Sequence, residues 1–370
     1  MAYTTIDKPE DYFNTITWTG DGSRPISITG VGFQPDMVWA KNRSPDAFEH
    51  KLYDSSRGAG SDKELTPNEA YAEGGSNADT YGYLSSFDSD GFSSTDSNYN
   101  AYFNKIGTTY VAWAWKANAG STSSNTNGTI TSTVQVNSDA GFSIGTFTGN
   151  GTSGATVGHG LGVKPDMLIL KSRNNPSGAA MYWIVGHVGL DGMAGLKNLF
   201  MNQTWAVNTE SVIWANTAPT SSVFSVGTNA AVNYTGNNML FYAFANKQGY
   251  SKFGQYTGNG NADGPFVYTG FRPAFVMVKN ASASESWVIY DTARNTYNVA
   301  DLKLSPDTAD SENGNAGIGG AIYNNIDILS NGFKCRTNNA ATNGSGNTII
   351  YMAFAENPFV TSTGIPTTAR

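Results

Sequence analysis

A pattern written three times constrains the fold of this 370-residue chain more than any other feature. In each copy a proline is followed six residues later by a lysine, with an apolar run between them: Gln34–Lys41, Lys164–Lys171 and Arg272–Lys279. Proline fixes φ and lacks an N–H, so it suits the start of a strand rather than its middle. Each copy therefore predicts a strand that begins near its proline and is covered on both faces.

Two further motifs accompany this strand at nearly constant distances. A glycine turn precedes it, at Thr19–Gly22, Thr148–Gly151 and Thr257–Gly260. An Asn-x-x-Gly motif and a second apolar run follow it, and the runs are Tyr110–Trp115, Met239–Phe244 and Ile349–Phe354. The distance from proline to this glycine is 72, 71 and 73 residues, for Pro35–Gly107, Pro165–Gly236 and Pro273–Gly346. Such agreement in order and spacing indicates an internal triplication.

Composition favours an all-β protein. Only 14 % of the residues are charged, aromatics make up 12 %, and there are 42 glycines, a profile typical of sheets joined by many tight turns. With about 100 residues in each copy, we expect three tandem antiparallel β-sandwich units of jelly-roll or lectin-like type. The repeat is too long for the blade of a β-propeller, which spans about 40–45 residues.

The repeat also sets the domain organisation. The expected segments are a lead-in (1–14), unit 1 (15–117), a linker (118–140), unit 2 (141–245), unit 3 (252–359) and a tail (360–370). Within the linker, apolar and polar residues alternate over Thr129–Val136, which predicts one extra strand. The short join between units 2 and 3 favours units that pack against each other.

Charge and cysteine content exclude several classes of protein. The net charge is −7 with no basic run, whereas a nucleic-acid-binding protein needs basic residues to neutralise phosphates. No stretch of about 18 apolar residues predicts a membrane span, and the N-terminus does not resemble a signal peptide. The single cysteine, Cys335, excludes an intrachain disulfide and is expected to be a buried core residue.

No residue pattern predicts catalysis or a cofactor. The histidines His50, His159 and His187 occupy unrelated positions of their units. No serine is predicted to form a nucleophile elbow, and no glutamates form a closely spaced acidic set on a strand. Asp88–Gly91 resembles the start of a calcium loop but lacks the distal glutamate, so we interpret it as a turn. We therefore predict no catalytic, cofactor-binding or metal-binding residues and no enzymatic activity.

One polar motif recurs in two of the three units. The residues are Tyr53, Asp54 and Arg57 in unit 1 and Tyr290, Asp291 and Arg294 in unit 3, whereas unit 2 has Gly186 and His187 at the first two positions. A carboxylate and a guanidinium at this spacing form a structural ion pair at a strand end. The alternative hypothesis is a surface contact with a glycan or a partner protein.

Aromatic residues and the repeated lysines complete the set of candidates. The tryptophans that could stack on sugar faces are Trp39, Trp113, Trp115, Trp183, Trp205, Trp214 and Trp287. Trp113 and Trp115 share one strand face, and the other units keep bulky residues there, so we assign this face to the core rather than to sugar stacking. We expect Lys41, Lys171 and Lys279 to lie at equivalent strand ends with solvated amines.

The sequence resembles a repeat-module family found in virion proteins of marine tailed bacteriophages. The resemblance lies in the glycine turns and in Gly32–Arg43, Tyr53–Gly58, Ser89–Phe92, Tyr110–Lys116 and Ala353–Phe359, and it covers essentially the whole chain. It implies a particle protein of the tail-fibre or structural type with a lectin-like fold. It implies no active site, so no functional residue is transferred.

The expected function is accordingly a non-enzymatic structural role on the surface of a tailed-phage virion. Either a tail fibre or adhesin, or a capsid decoration protein, agrees with the sequence. The expected partners are other virion proteins and host surface glycans, with no nucleic acid, no membrane span and a homo-oligomeric state. The protein would be made in the host cytoplasm and carried on the virion. The alternative is a glycan-degrading depolymerase with a lectin-like fold.

Overall fold

The computed structural model of the protein describes residues 3–44, 46–95, 101–174, 178–312 and 325–367. These residues form mainly antiparallel β-sheets, as the composition predicted. The first repeat contains β1 (Phe13–Thr19), β2 (Ile26–Thr29), β3 (Met37–Asn42), β4 (Lys51–Asp54), β5 (Tyr83–Asp88), β6 (Gly91–Thr95) and β7 (Thr109–Trp115). Its helical elements are two 3-10 turns, Pro9–Asp11 and Ser61–Lys63, and α1 (Ala78–Tyr81).

The linker and the second repeat contribute ten further strands. They are β8 (Ser123–Asn125), β9 (Ser132–Asn137), β10 (Phe142–Thr148), β11 (Ala155–Gly158), β12 (Met167–Ser172), β13 (Trp183–His187), β14 (Lys197–Phe200), β15 (Asn208–Thr209), β16 (Val223–Val226) and β17 (Asn238–Phe244). The helices here are α2 (Val188–Asp191), α3 (Ser211–Trp214) and α4 (Ala230–Asn233).

The third repeat closes the described chain. Its strands are β18 (Ser251–Thr257), β19 (Phe266–Tyr268), β20 (Phe271–Asn280), β21 (Val288–Asp291), β22 (Ile326–Leu329), β23 (Gly332–Cys335) and β24 (Thr348–Pro358), and its helix is α5 (Ala340–Asn343). Every α-helix in the described ranges is a single turn, and none of them could span a membrane. The expected tail from 360 is described as far as residue 367, and its last three residues lie outside the described part.

The same strand order occurs in the larger sheet of each repeat. It is β1-β7-β3-β4 in the first repeat and β18-β24-β20-β21 in the third, and the second repeat has the matching order β10-β17-β12-β13. The register also matches, because Met37 pairs with Trp115 and Phe275 pairs with Phe354. The proline-initiated run and the closing apolar run are therefore neighbouring strands in all three repeats.

The larger sheet of the second repeat is longer than the other two. Strands β9 and β8 from the linker extend it beyond β10, and β14 and β15 extend it beyond β13, which makes eight strands. Strand β9 overlaps the stretch whose alternating residues predicted a strand.

A smaller sheet accompanies each larger one: β2-β6-β5, β11-β16 and β19-β23-β22. In the first repeat, apolar side chains from both sheets meet in one cluster that includes Ile28, Val38, Leu84 and Phe92. The second and third repeats have corresponding clusters of their own. Cys335 lies fully buried among the residues of β23, as predicted.

The other face of the larger sheets forms a single core shared by all three repeats. Phe13 of the first repeat stacks on Phe354 of the third with ring centroids 4.9 Å apart. Phe354 also contacts Trp115 at 5.7 Å and Phe244 of the second repeat at 6.1 Å. Trp113 belongs to the same core, so the assignment of the Trp113 and Trp115 face to the interior is confirmed. Because apolar burial is the main stabilising term in folding, this core joins the repeats into one body.

The repeated glycine turns are held by the repeated asparagines. In the first repeat Asn104 Oδ1 accepts from the backbone N–H of Asp21 at 3.0 Å, and Asn104 Nδ2 donates to Asp21 Oδ1 at 2.8 Å. Asn233 and Asn343 make the same two bonds to their own turns. A Cβ on Gly20 would lie 2.2 Å from a backbone oxygen, so a side chain does not fit where turn and asparagine meet.

Candidate functional site

The recurrent Asp–Arg motif forms a buried ion pair in both repeats that carry it. Arg57 Nε lies 2.6 Å from Asp54 Oδ2, and the Arg57 backbone N–H also donates to Asp54 Oδ1 at 3.1 Å. Arg294 and Asp291 repeat this geometry with distances of 2.6 and 2.9 Å. The motif thus closes the turn that follows β4 and β21, where a carboxylate can accept from both side chain and backbone.

Each aspartate of this motif also binds the neighbouring repeat. Tyr242 of the second repeat donates its hydroxyl to Asp54 Oδ2 at 2.8 Å. Trp113 of the first repeat donates its indole N–H to Asp291 Oδ2 at 3.0 Å. The motif therefore lies at joints between repeats, with a ring from the adjacent repeat as its third member.

A glutamate extends each pair into a network across the same joint. Glu73 accepts from Arg57 at 2.6 Å and lies 2.7 Å from Arg173 of the second repeat. Glu312 lies 3.0 Å from Arg294 and 3.0 Å from Arg43 of the first repeat. Sequence reasoning missed both glutamates, although each follows its arginine at a similar distance, 16 and 18 residues. A second signal for the network was available in the sequence. Arg43 and Arg173 each follow a repeated lysine by two residues.

The surface-contact hypothesis for the six motif residues needs correction. All six, Tyr53, Asp54, Arg57, Tyr290, Asp291 and Arg294, are buried. The two aspartates each bond an adjacent repeat, and the two tyrosine rings pack in the cores of their own repeats. A glycan or a partner protein does not reach them in this fold, and the ion-pair alternative describes what they do.

The prediction of solvated lysine amines is wrong. Lys41, Lys171 and Lys279 are all buried, and their amines donate to backbone carbonyls. Lys41 Nζ reaches Ala309 O of the third repeat at 3.0 Å, and Lys279 Nζ reaches Thr204 O of the second at 2.9 Å. Burial lowers the pKa of Lys41 and Lys171 to about 7 and that of Lys279 to about 8. At Lys41 and Lys279 the strand end that looked like a sheet edge is covered by a segment of another repeat, whereas Lys171 bonds Met181 O of its own repeat.

Three equivalent hydrogen bonds link the repeats into a closed ring. In each, a ring N–H at the start of the strand next to the proline-initiated strand donates to a backbone carbonyl of an adjacent repeat. The pairs are Trp183 with Thr66 at 3.0 Å, Trp287 with Phe200 at 3.0 Å, and His50 with Ser305 at 3.0 Å. The contacts run from the second repeat to the first, from the third to the second and from the first to the third. We name each contact by the repeat that supplies the acceptor. The first joint is accepted by the first repeat, the second joint by the second repeat and the third joint by the third repeat.

A backbone bond repeats at the same joints. Glu73 N donates to Arg173 O at 2.9 Å, Val207 N to Ala281 O at 2.8 Å, and Glu312 N to Arg43 O at 3.0 Å. The joints therefore share one geometry although their side chains differ. Such matched contacts indicate that the three repeats are related by approximate threefold symmetry.

The histidines are structural groups in this arrangement. The Nδ1 atoms of His50, His159 and His187 each accept a hydrogen bond, so the proton of the neutral ring lies on Nε2. Each Nε2 faces a backbone carbonyl, which for His187 is Tyr351 O of the third repeat at 3.1 Å. Burial lowers the pKa of all three rings, to about 4 for His187.

The acidic segment before β6 is a turn. Asp90 accepts from the backbone N–H groups of Gly30 and Gly32, and Asp88 accepts from the hydroxyls of Ser86 and Ser93. These bonds occupy the oxygens that a calcium ion would need. Within the described ranges no group of three or more histidine, cysteine or acidic side chains is arranged to hold a metal.

Most tryptophans considered for sugar stacking are interior. Trp39, Trp113, Trp115, Trp183, Trp214 and Trp287 are all buried. Trp205 alone among the candidates is exposed, at 44 %, and it packs edge-on against Tyr182 and Phe200. Aromatic surface also occurs in a cleft of about 290 Å³ lined by Phe48, Tyr71 and other residues of the first repeat, which sequence reasoning did not single out.

The fold and its joints define a class of protein: an all-β chain whose repeats share one core and are linked by matched contacts. The family model that matches the chain is DUF7483, a domain of unknown function, over residues 8–358. The chain belongs to this family. No curated protein and no solved structure matched the chain.

Proposed function

We propose that the chain is a non-enzymatic structural protein on the surface of a tailed-phage virion, built from three tandem antiparallel β-sandwich units. Its partners would be other virion proteins and host surface glycans. The resemblance of its motifs to phage particle modules supports the setting. Either a tail fibre or a capsid decoration protein would use such a body.

The joints are the observation that carries this proposal. The residues best suited to chemistry, Asp54, Arg57, Asp291, Arg294 and the three histidines, are buried and bonded to neighbouring segments. The polar atoms of Asp54, Asp291, His50 and His187 bond an adjacent repeat and so help to hold the repeats in one orientation. A chain that commits its charged and imidazole groups in this way gains a rigid body, which suits assembly and repeated contact. Several copies on one particle would raise avidity through simultaneous weak contacts.

Location on the particle provides the direct test. Antibodies raised against the recombinant protein would be applied to purified particles of the phage that encodes it, with gold detection in the electron microscope. We expect label on the tail for a fibre and on the head for a decoration protein. Particles without label that nonetheless contain their major capsid protein would refute the proposal.

A hydrolase assay separates this function from a depolymerase. The purified protein would be incubated with envelope polysaccharide of the host, and released reducing ends would be measured over time. We expect no release above that of heat-denatured protein. Sustained release that is lost on substituting one carboxylate would establish an enzyme instead.

A further inference from the structure

An open cleft in the first repeat combines packed aromatic rings with the carboxylate of Glu49. It has a volume of about 290 Å³ and is lined by segments 47–49 and 75–77 and by three tyrosines, Tyr71, Tyr81 and Tyr102. This volume is close to the lower end of small-ligand sites, roughly 300 Å³. A single sugar ring or a disaccharide end is of the size that such a cleft accepts.

The floor of the cleft is rigid. Phe48, Tyr81 and Tyr102 contact one another with ring centroids 5.5–5.8 Å apart. The Tyr102 hydroxyl donates to Ser76 O at 2.9 Å, and the buried Lys51 amine lies 3.8 Å from the centre of the Tyr102 ring. Tyr102 is only 4 % exposed, so the partly exposed Phe48 and Tyr81 rings, which pack on it, present the apolar surface and lose little side-chain freedom on binding.

The rim supplies exposed aromatic and acidic groups. Tyr71 is 42 % exposed. Its loop turns so tightly at Gly75 that a Cβ there would lie 2.8 Å from Ala72 O. Glu69 and Glu49 lie close enough to Tyr71 to raise the pKa of its hydroxyl, Glu69 most strongly. Among the described residues no hydrogen bond or ion pair engages the Glu49 carboxylate, which is thus free to accept from a ligand.

We propose that this cleft binds a neutral hexopyranose unit of a surface glycan, with Tyr71 and the Phe48–Tyr81–Tyr102 floor against its C–H face and Glu49 accepting from its hydroxyls. Sugar rings have one apolar face and a rim of hydroxyl donors, which matches aromatic surface beside a carboxylate. This inference rests on the proposed contact with host glycans and assigns it to a site.

The charge of the cleft selects against acidic sugars. Glu49 and Glu69 repel each other, because Glu49 contributes to the raised pKa of Glu69 after the larger effect of burial. The buried Lys51 amine, which pairs with Glu64, lowers this pKa by a smaller amount. A uronate or sialate carboxylate would add a third negative charge in the same space, at a cost in binding free energy. The site therefore favours neutral rings.

In two other open clefts, some of the polar side chains already bond other groups of the protein. In the cleft beside the exposed Tyr297, Arg272 pairs with Glu356 at 2.7 Å, and Asn298 bonds both polar groups of Ile328. In the cleft that contains Tyr268, the Tyr3 hydroxyl donates to Gly270 O at 2.6 Å. The cleft with Glu49 retains an acceptor for a ligand.

A glycan array with the full-length protein tests the assignment. The array would carry neutral oligosaccharides together with sialylated and uronate-containing ones, and affinities for the retained glycans would be measured by calorimetry. We expect neutral glycans to be retained and acidic ones rejected. Tyr71→Ala should weaken the Kd about tenfold through loss of one stacking face. Tyr297→Ala, which removes an 83 % exposed ring in the third repeat, is the matched control and should leave the Kd unchanged.

The charge variant adds an independent outcome. Glu49→Gln should weaken binding of the neutral glycan and reduce the discrimination against acidic ones. Unchanged melting temperatures of the three variants would show that each effect is local. Binding that survives Tyr71→Ala undiminished, or an array on which no neutral glycan is retained, would overturn the inference.

Failure of this site can be told from failure of the proposed function. If neutral glycans bind but only Tyr297→Ala abolishes binding, the host contact stands and its place is the third repeat. If particles carry the protein and no neutral glycan binds, the virion role stands without this cleft. Loss of gold label on the particles would remove the virion role itself.

Discussion

Replacing the Glu73 carboxylate should expose the energetic coupling between the first and second repeats. Glu73 bridges Arg57, whose side chain is 1 % exposed, and Arg173, whose side chain is 20 % exposed. Glu73→Gln removes the shared charge and turns an N–H₂ toward one of two guanidinium groups. Breaking a buried pair costs about 3–5 kcal/mol of unfolding free energy. Arg57 keeps its 2.6 Å contact with Asp54, so we expect the low end, about 3 kcal/mol.

A double-mutant cycle isolates the contact between repeats. In the natural chain Arg173→Ala should cost about 1 kcal/mol, because its guanidinium is partly solvated. In the Glu73→Gln background the same substitution should cost nothing or restore stability, since it removes a cation without a partner. The expected coupling is about 1 kcal/mol or more.

Urea unfolding followed by tryptophan fluorescence provides the assay, since the chain has 8 tryptophans. The shared core predicts one cooperative transition. Glu10→Gln, at an exposed glutamate, is the control and should change the unfolding free energy by less than about 0.5 kcal/mol. Equal costs of Arg173→Ala in both backgrounds, within about 0.5 kcal/mol, would refute the idea that Glu73 joins the repeats.

Three further predictions concern the interior. Lys171→Met should leave stability unchanged or higher, because among the described residues only Met181 O accepts from its amine. Lys279→Met should cost about 2 kcal/mol because three carbonyls lose their donor, and urea unfolding of both variants checks this contrast. Burial holds the pKa of His187 at about 4, below its ordinary 6.5. The free energy of unfolding should therefore fall by about 3 kcal/mol as the pH drops from above 6.5 to below 4. His187→Gln should flatten this part of a curve of stability against pH. Gly20→Ala should cost about 1–3 kcal/mol of unfolding free energy through the clash at its Cβ. It should lower the melting temperature more than Gly107→Ala does. A Cβ on Gly107 meets no atom within 4 Å, so that variant bears only the strain of positive φ.

The sequence could predict the contacts that each repeat makes with itself. The glycine turn and the Asn-x-x-Gly motif recur because Asn104 and its equivalents bond the turn directly. The apolar runs recur because they pair as neighbouring strands with matching register. In both cases the partners lie inside one repeat, so the same spacing appears three times and reveals the contact.

Contacts between repeats could not be read in this way. Lys41 looked like a strand end in solvent because its acceptor, Ala309 O, lies 268 residues away in another repeat. Asp54 looked like a candidate for a surface contact because Tyr242, which donates to it, is 188 residues distant. Local pattern gives the strand and its end, but the arrangement of three sheets decides whether that end meets water.

The second joint shows which residues act together at these contacts. Val207 stands there in place of the glutamate, which is Glu73 or Glu312 at the other two joints. Ala281 replaces the bridged arginine, Arg173 or Arg43. Leu190 replaces the arginine of the Asp–Arg motif, Arg57 or Arg294. All three apolar substitutes pack on or belong to the shared core. The backbone bond between Val207 and Ala281 persists, so the joint keeps its geometry without the charges.

Loss of one member alone would leave a buried arginine or glutamate without its partner, which is strongly destabilising, whereas exchange of the whole network for apolar side chains is often neutral or favourable. The chain therefore contains both solutions to the same packing problem. Because the three positions differ as a set at the second joint, we expect the network to behave as one energetic element. The repeats are held in place by the geometry of the joint, and the ion network is one of two ways to fill it.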